Sequence, residues 1–89
     1  MTQSEFEADL RREGYQVFYG GSRANEVLPE HGHAWDARLM VIGGEITLTR
    51  DGKAETFRAG DTCMVPANYP HAEHTGRQGV ALIIGRRQI

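Results

Sequence analysis

Three histidines in this sequence have the types and spacing of a metal site. His31 and His33 are two residues apart, so on a β-strand their rings would lie on one face, with Cβ atoms about 6–7 Å apart. Two imidazoles placed in this way can bind one ion, each at about 2.0–2.1 Å. The simpler interpretation is a pair of solvated rings on a surface strand. The pair by itself leaves both interpretations open.

A second segment would bring another imidazole to the same place. It contains Gly60, Pro66, Asn68 and His71. Pro66 ends a strand because proline cannot donate a hydrogen bond to a β-ladder. The loop that follows it, which ends at Pro70, then directs His71 back toward the interior of the sheet. Three imidazoles from two distant segments would form a facial three-nitrogen site, which suits Zn, Cu, Ni or Fe rather than Mg or Ca.

Glu73 is the acidic residue that best fits this site. On a strand it shares a face with His71. There it would serve as a metal ligand, as a group that orients an imidazole, or as a general base, and we take it as the candidate catalytic residue. The alternative is a carboxylate at the mouth of the fold that pairs with an arginine. Asp36 and His74 have the opposite parity and are expected to point outward.

The composition limits what else the chain can be. Its 89 residues make one domain at most, and Lys+Arg 10 against Asp+Glu 12 gives no basic face for nucleic acid. A single cysteine, Cys63, excludes an intrachain disulfide and a zinc site of several cysteines, and we expect it to be buried filler. The chain starts without a signal-like segment and has no stretch of about 18 apolar residues, so we expect a cytoplasmic protein that does not bind membranes.

The first residues predict one short helix, from about residue 5 to residue 13. A capping box that begins at Ser4 would start it, and Gly14 would supply a left-handed stop. Phe6 and Leu10 would share one face of this helix. We expect the helix to cover one end of a sheet structure or to form a dimer contact.

Period-two patterning follows the helix and predicts a small antiparallel sandwich or barrel. Turn signals recur every few residues, and Asp51-Gly52 is the strongest hairpin signal among them. The predicted strands are Tyr15–Tyr19, Glu26–Leu28, Ala37–Ile42, Glu45–Arg50, Lys53–Arg58, Thr62–Val65, His71–Thr75 and Val80–Gly85. The residues that parity from Ala37 places inside are apolar: Leu39, Val41, Ile46 and Leu48.

The first histidine segment resembles the first motif of the cupins, a family of small jelly-roll barrels. That motif is Gly-x5-His-x-His, then three or four residues, Glu, six residues and Gly. His31, His33 and Gly44 match it. Asn25 takes the position of the opening glycine, and Ala37 takes that of the glutamate.

The second segment resembles the second cupin motif, Gly-x5-Pro-x-Gly-x2-His-x3-Asn. Gly60, Pro66 and His71 match, whereas Asn68 replaces the second glycine and Thr75 the final asparagine. Asparagine tolerates left-handed backbone better than other residues with a side chain, so the exchange at position 68 is mild.

This resemblance implies an all-β fold: an antiparallel jelly-roll β-barrel with one short N-terminal α-helix. Residues 1–14 would be the helix packed on the barrel, and residues 15–89 the barrel itself. Cupins commonly bind a divalent metal through two His, one Glu and a further His, and the three histidines carry over as ligands. Ala37 cannot coordinate, so the neutral imidazoles leave the charge of the ion uncompensated and leave positions open for water or substrate.

The implied function is a metal-dependent enzyme of dioxygenase, isomerase or lyase type that acts on a small organic substrate. Zn, Ni, Fe or Cu would lie on His31, His33 and His71, and Glu73 would transfer the proton. The alternative is a cupin that binds a small molecule, or senses it, without turnover. A barrel without metal, in which the histidines hydrogen-bond to one another or to water, is the third possibility.

A homodimer is expected, because strand edges at Tyr15–Tyr19 and Val80–Gly85 would leave unpaired backbone for a second copy to cover. Trp35 would lie at the rim of the opening or at a subunit contact. Arg86 and Arg87 are expected to form a solvated end and not a recognition patch.

Overall fold

One helix and six strands make up the chain, and the computed structural model describes all of residues 1–89. The elements are α1 (Gln3–Arg12), β1 (Gln16–Ser22), β2 (Val27–His31), β3 (Trp35–Arg50), β4 (Lys53–Arg58), β5 (Thr62–Val65) and β6 (His71–Gln88). The predicted class, all-β with one N-terminal helix, is confirmed. The helix has 10 residues and is not long or apolar enough to cross a membrane.

Two long strands, β3 and β6, form the centre of the fold and pair antiparallel along most of their length. The second half of β6 also pairs with β1, and its first half pairs with β2. The first half of β3 pairs with β5, and its second half pairs with β4. Each long strand therefore belongs to two four-stranded layers, which face each other as the jelly-roll barrel.

The two long strands each merge two predicted strands. The glycines at 43 and 44 do not end β3, because the strand passes them with two shifts of register against β6. Gly44 has a φ of 71°, and a Cβ atom there would lie 1.9 Å from the carbonyl oxygen of Gly79. Glycine thus lets the strand bend and change layers here instead of turning back. The prediction that the two glycines separate two strands was therefore wrong.

The helix begins earlier than predicted. Thr2 is its N-cap, because the Thr2 hydroxyl accepts from the backbone N–H of Glu5 at 3.1 Å. In return, Oε1 of Glu5 accepts from the backbone N–H of Thr2 at 2.7 Å. The capping box therefore starts at Thr2 and not at Ser4. The residue that would complete the Ser4 box, Glu7, instead accepts a hydrogen bond from the Tyr19 hydroxyl.

Two apolar clusters lie on opposite sides of β3 and β6. The helix core consists of Phe6, Leu10, Tyr15, Met40 and Ile83, and the barrel core consists of Ala37, Val41, Ile46, Leu48, Phe57, Val65, Val80 and Leu82. Leu10 approaches β6 at Gly85, where a Cβ atom would lie 2.6 Å from Cδ2 of Leu10. The predicted helix face is therefore buried. Strand parity placed Val41, Ile46 and Leu48 correctly in the barrel core, whereas Leu39 is half-buried and lies outside it.

Only one of the two free strand edges predicted for a homodimer is present in the fold. The two segments pair with each other, from Val17 opposite Gly85 to Ser22 opposite Val80. β1 pairs with no further strand, so its other side stays an edge of the layer, as predicted. The later segment also pairs with β3, so it lies in the middle of a layer. The prediction fails for the later segment because the two segments come from opposite ends of the chain, and only the folded topology makes them neighbours. The homodimer itself stays a prediction.

Candidate metal centre

The three histidines lie together inside the barrel. His31 is the last residue of β2, His33 lies in the link to β3, and His71 is the first residue of β6. Their ring centroids are 4.4 to 5.0 Å apart. One potential ligand atom from each ring lies within 4.8 Å of the other two. The two segments therefore meet as the motif spacing predicted.

The sequence predicted that His31 and His33 share one face of a strand, and this prediction was wrong. The chain leaves β2 at His31, and His33 follows in the connection. Their convergence depends on a contact with the other segment: the backbone N–H of Asn68 donates to the carbonyl oxygen of His33 at 2.6 Å. Asn68 has a φ of 61°, the left-handed conformation expected where the cupin motif has glycine.

Asp36 fixes the loop that leads to the third histidine. Its Oδ1 accepts from the backbone N–H of Ala67 at 2.9 Å, and its Oδ2 lies 3.3 Å from the guanidinium of Arg87. The Ala67 hydrogen bond, followed by the Arg87 charge, holds the pKa of Asp36 below its usual value. Asp36 therefore points away from the imidazoles, as its parity predicted, and restrains the approach of His71.

Backbone carbonyls set the tautomers of two of the rings. Nδ1 of His31 lies 2.8 Å from the carbonyl oxygen of Pro29, and Nδ1 of His71 lies 3.0 Å from that of Tyr69. A carbonyl only accepts, so each Nδ1 carries the proton and donates it. In a neutral ring the lone pair is then on Nε2. A carbonyl behind the ring is the usual partner of a metal-binding histidine.

His33 has no such partner. Its Nδ1 is buried without any hydrogen bond, and the ring stacks on Trp35 with centroids 4.9 Å apart and an interplanar angle of 12°. Burial, followed by the neighbouring His71 and His31, lowers the pKa of His33 below its usual value. The ring is therefore neutral at pH 7, the form that binds metals.

Glu73 faces the histidines and not an arginine. Its Oε2 lies 3.3 Å from Nε2 of His31 and 3.3 Å from Nε2 of His71. A carboxylate oxygen and two imidazole lone pairs repel one another unless a proton or a cation lies between them. The arrangement therefore favours a positive charge at its centre. Glu73 also supplies the negative charge that is missing at Ala37.

A cavity of about 140 Å³ adjoins this cluster. Most of its wall is apolar, and the lining residues are His33, Trp35, Ala37, Leu39, Leu48, Val65, His71, Glu73, Leu82, Ile84 and Arg86. Leu39 and Leu48 are among the residues that parity placed inside. Apolar walls with a few polar groups gathered together are typical of a small-molecule site. His74 is exposed, as expected, and takes no part in the site.

Arg86 is the residue of this cavity that the sequence interpretation missed. It is exposed, as expected for a solvated end, but it lies within β6 and also lines the cavity. Its guanidinium carbon is 4.7 Å from the ring centre of Trp35 and 5.1 Å from that of Phe18. Strand parity could have identified Arg86 as a cavity residue, because it has the parity of Leu82 and Ile84, which also line the cavity. The predicted strand ended at residue 85, so parity was not applied to Arg86.

Solved structures share this architecture. A protein of unknown function from Rhizobium leguminosarum bv. viciae 3841 matches with a TM-score of 0.79 at 17% identity, over 86% of this chain and 73% of that chain. A cupin superfamily protein from Desulfitobacterium hafniense DCB-2 matches with a TM-score of 0.68 at 21% identity, over 83% of this chain and 79% of that chain. At these identities the likeness shows the fold alone.

A chain from the crystal structures of the DMSP lyases RdDddP and RnDddQII matches with a TM-score of 0.66 at 25% identity. The match covers 80% of this chain and 36% of that chain, so the present chain spans about a third of that protein. No curated protein has a matching sequence. Residues 22–84 match the family model Cupin_2, the cupin domain. This match covers most of the 89 residues and agrees with the barrel, so the chain belongs to the cupin family.

Proposed function

We propose that this cupin binds a divalent transition metal through His31, His33 and His71 and acts as a metal-dependent enzyme on a small organic substrate. The observation that carries the proposal is the convergence of three imidazole nitrogens within 4.8 Å of one another. Neutral imidazoles suit Zn, Ni, Fe or Cu.

The donor set fits such an ion. Two rings have Nδ1 bound to backbone carbonyls, which leaves their Nε2 lone pairs beside Glu73. The third ring has a buried nitrogen without a partner, and an unpartnered buried polar atom costs about 1–3 kcal/mol. A metal bond is the kind of contact that satisfies such an atom. The carboxylate of Glu73 offsets part of the charge of the ion.

The residues around the cavity suit a reaction on a small molecule. A bound divalent ion supplies Lewis acidity to a substrate oxygen or to water. Glu73 lies beside the histidines in the cavity wall, where its carboxylate can accept a proton from a substrate and return it. A substrate that lies against the apolar wall has less contact with bulk water. Because one chain from the DMSP lyase structures has a similar fold, a lyase reaction stands beside dioxygenase and isomerase reactions as a class to test.

Metal stoichiometry tests the site. Wild-type protein, His33→Ala, His71→Ala and His74→Ala are loaded with zinc near pH 8, desalted and measured by elemental analysis. We expect about one ion per chain in the wild type and in His74→Ala, whose ring is exposed, and less than about one tenth of an ion in the other two variants. Unchanged stoichiometry in His33→Ala and His71→Ala would remove this site from consideration.

Turnover tests the second half of the proposal. Protein loaded with each candidate metal is assayed on a broad panel of small organic acids, alcohols and sugars, beside Glu73→Gln at saturating metal. We expect Glu73→Gln to keep its metal and to lose about 10²–10⁴-fold in kcat, the usual contribution of general acid–base catalysis. A fully loaded wild type without turnover on the panel would instead favour the non-catalytic binding module.

A further inference from the structure

Arg86 is an arginine without a partner in the wall of the cavity. It takes part in none of the ion pairs or side-chain hydrogen bonds of the protein. The adjacent Arg87 differs, because it binds the carboxylate of Asp36 and the carbonyl oxygen of Glu13. The donors of Arg86 are therefore free for a molecule in the cavity.

Two aromatic rings hold the guanidinium of Arg86 in place. Its central carbon lies 4.7 Å from the Trp35 ring centre and 5.1 Å from the Phe18 ring centre, distances typical of cation–π contacts. Such contacts engage the face of the group and leave its in-plane N–H donors unused. Those donors form a planar fork that matches the two oxygens of a carboxylate.

The charge of the cavity also favours an anion. Glu73 and Arg86 are the charged residues of its wall, apart from any proton on the histidines, and their charges cancel. A divalent ion on the three histidines would make the total positive, which attracts negatively charged ligands. The volume of about 140 Å³ and the apolar wall restrict the occupant to a small molecule with an apolar body.

We propose that the cavity takes a small carboxylic acid whose carboxylate pairs with Arg86 and whose body lies against the apolar wall toward the histidines. This inference names the substrate class of the proposed function and rests on it for the reaction. The recognition of the carboxylate rests on Arg86 and its aromatic neighbours and does not require the ion, whose charge would strengthen it.

The experiment uses Trp35, which is the single tryptophan of the chain, as the reporter. Metal-free protein is titrated with propanoate and with propanamide, a neutral molecule of nearly the same shape, at constant ionic strength. Because the Arg86 guanidinium lies on the Trp35 ring, pairing with a carboxylate changes the fluorescence of Trp35. We expect a saturable change with propanoate and an apparent affinity about tenfold weaker with propanamide.

Three variants locate the effect. Arg86→Gln should lower the propanoate affinity about tenfold, and Arg86→Lys should recover only part of it, because lysine keeps the charge without the fork. Arg77→Gln, which removes the same charge from an exposed position on β6 that does not line this cavity, should behave like the wild type. Thermal unfolding of each variant checks that it is folded.

Equal affinity for propanoate and propanamide, or an unchanged propanoate affinity in Arg86→Gln, would overturn the inference. Because the titration uses metal-free protein, its result is separate from the zinc stoichiometry of the histidine variants. Loss of the carboxylate preference with the metal site intact would refute the ligand class alone. A carboxylate preference that is kept while the histidine variants bind as much zinc as the wild type would refute the metal site alone.

Discussion

The two faces of β3 and β6 are packed in different ways. On the helix side, Phe6, Leu10 and Ile83 are fully buried, and the helix core contains no histidine or charged side chain. On the inner side, the barrel core leaves a cavity beside three imidazoles and a carboxylate. One face of the same strands is therefore filled for stability, while the other keeps space and unsatisfied polar groups.

A domain of 89 residues must offset the cost of a group of buried polar side chains. Polar groups held together in a low-dielectric interior oppose folding unless they are satisfied. A small domain has few apolar residues with which to offset that cost. The helix core supplies dense packing on the opposite face of the strands that hold the site. Substitutions on the helix side should therefore lower the free energy of unfolding, whereas substitutions on the inner side should change metal binding.

The largest expected effect on stability comes from the helix core. Leu10→Ala removes a fully buried side chain and should lower the free energy of unfolding by about 2–5 kcal/mol. Leu28→Ala, at a leucine that is 40% exposed, is the matched control and should cost less than about 1 kcal/mol. Urea denaturation measures both. Zinc stoichiometry of folded Leu10→Ala should stay at the wild-type value, and its loss would show that the two faces are coupled.

Metal binding should stabilise the protein through the inner face. At a free zinc concentration 100 times Kd, binding adds about 2.7 kcal/mol to the free energy of unfolding. For a domain of this size, each kcal/mol corresponds to about 4–8 °C in Tm. Leu10→Ala should keep this increase and His33→Ala should lose it, as measured by thermal unfolding with and without zinc. An equal increase in His33→Ala would place the metal elsewhere.

Gly44 lies where β3 bends and passes from one layer to the other, at a register shift against β6. Gly44→Ala would put a Cβ atom against the backbone of Gly79 at a positive φ and should cost about 1–3 kcal/mol. Gly60→Ala is the matched control: φ is 92°, but no atom lies within 4 Å of the new Cβ, so only the backbone strain of about 1 kcal/mol applies. Equal losses in urea denaturation would contradict a steric role for position 44.

Cys63 gives the smallest effect and reports on the barrel core. Burial raises the pKa of its thiol to about 11, so roughly one molecule in a thousand carries the thiolate at pH 8. The native protein should react with a disulfide reagent at pH 8 about a hundredfold more slowly than the protein unfolded in guanidinium. Similar rates in both states would show that the barrel opens readily at β5.

Predictions from the sequence held where the cause is local. The Asp51-Gly52 hairpin formed between the predicted strands, with φ of 52° and 77°, because two residues with positive φ make this turn. The alternation of apolar residues identified the barrel core for a similar reason. The continuity of β6 from His71 to Gln88 was missed, because it depends on pairing with β1, β2 and β3 rather than on its own glycines.

The sequence by itself determined the donors of the site and the parity of the strands around it. Residue types and short spacings are properties of a few consecutive residues, so His31, His33 and His71 could be identified without coordinates. Only the tertiary structure decided that Glu73 faces the histidines and that Arg86 lies on Trp35 in the cavity wall. Those contacts join strands far apart in the chain, and their distances follow from sheet register and closure, which no local pattern encodes.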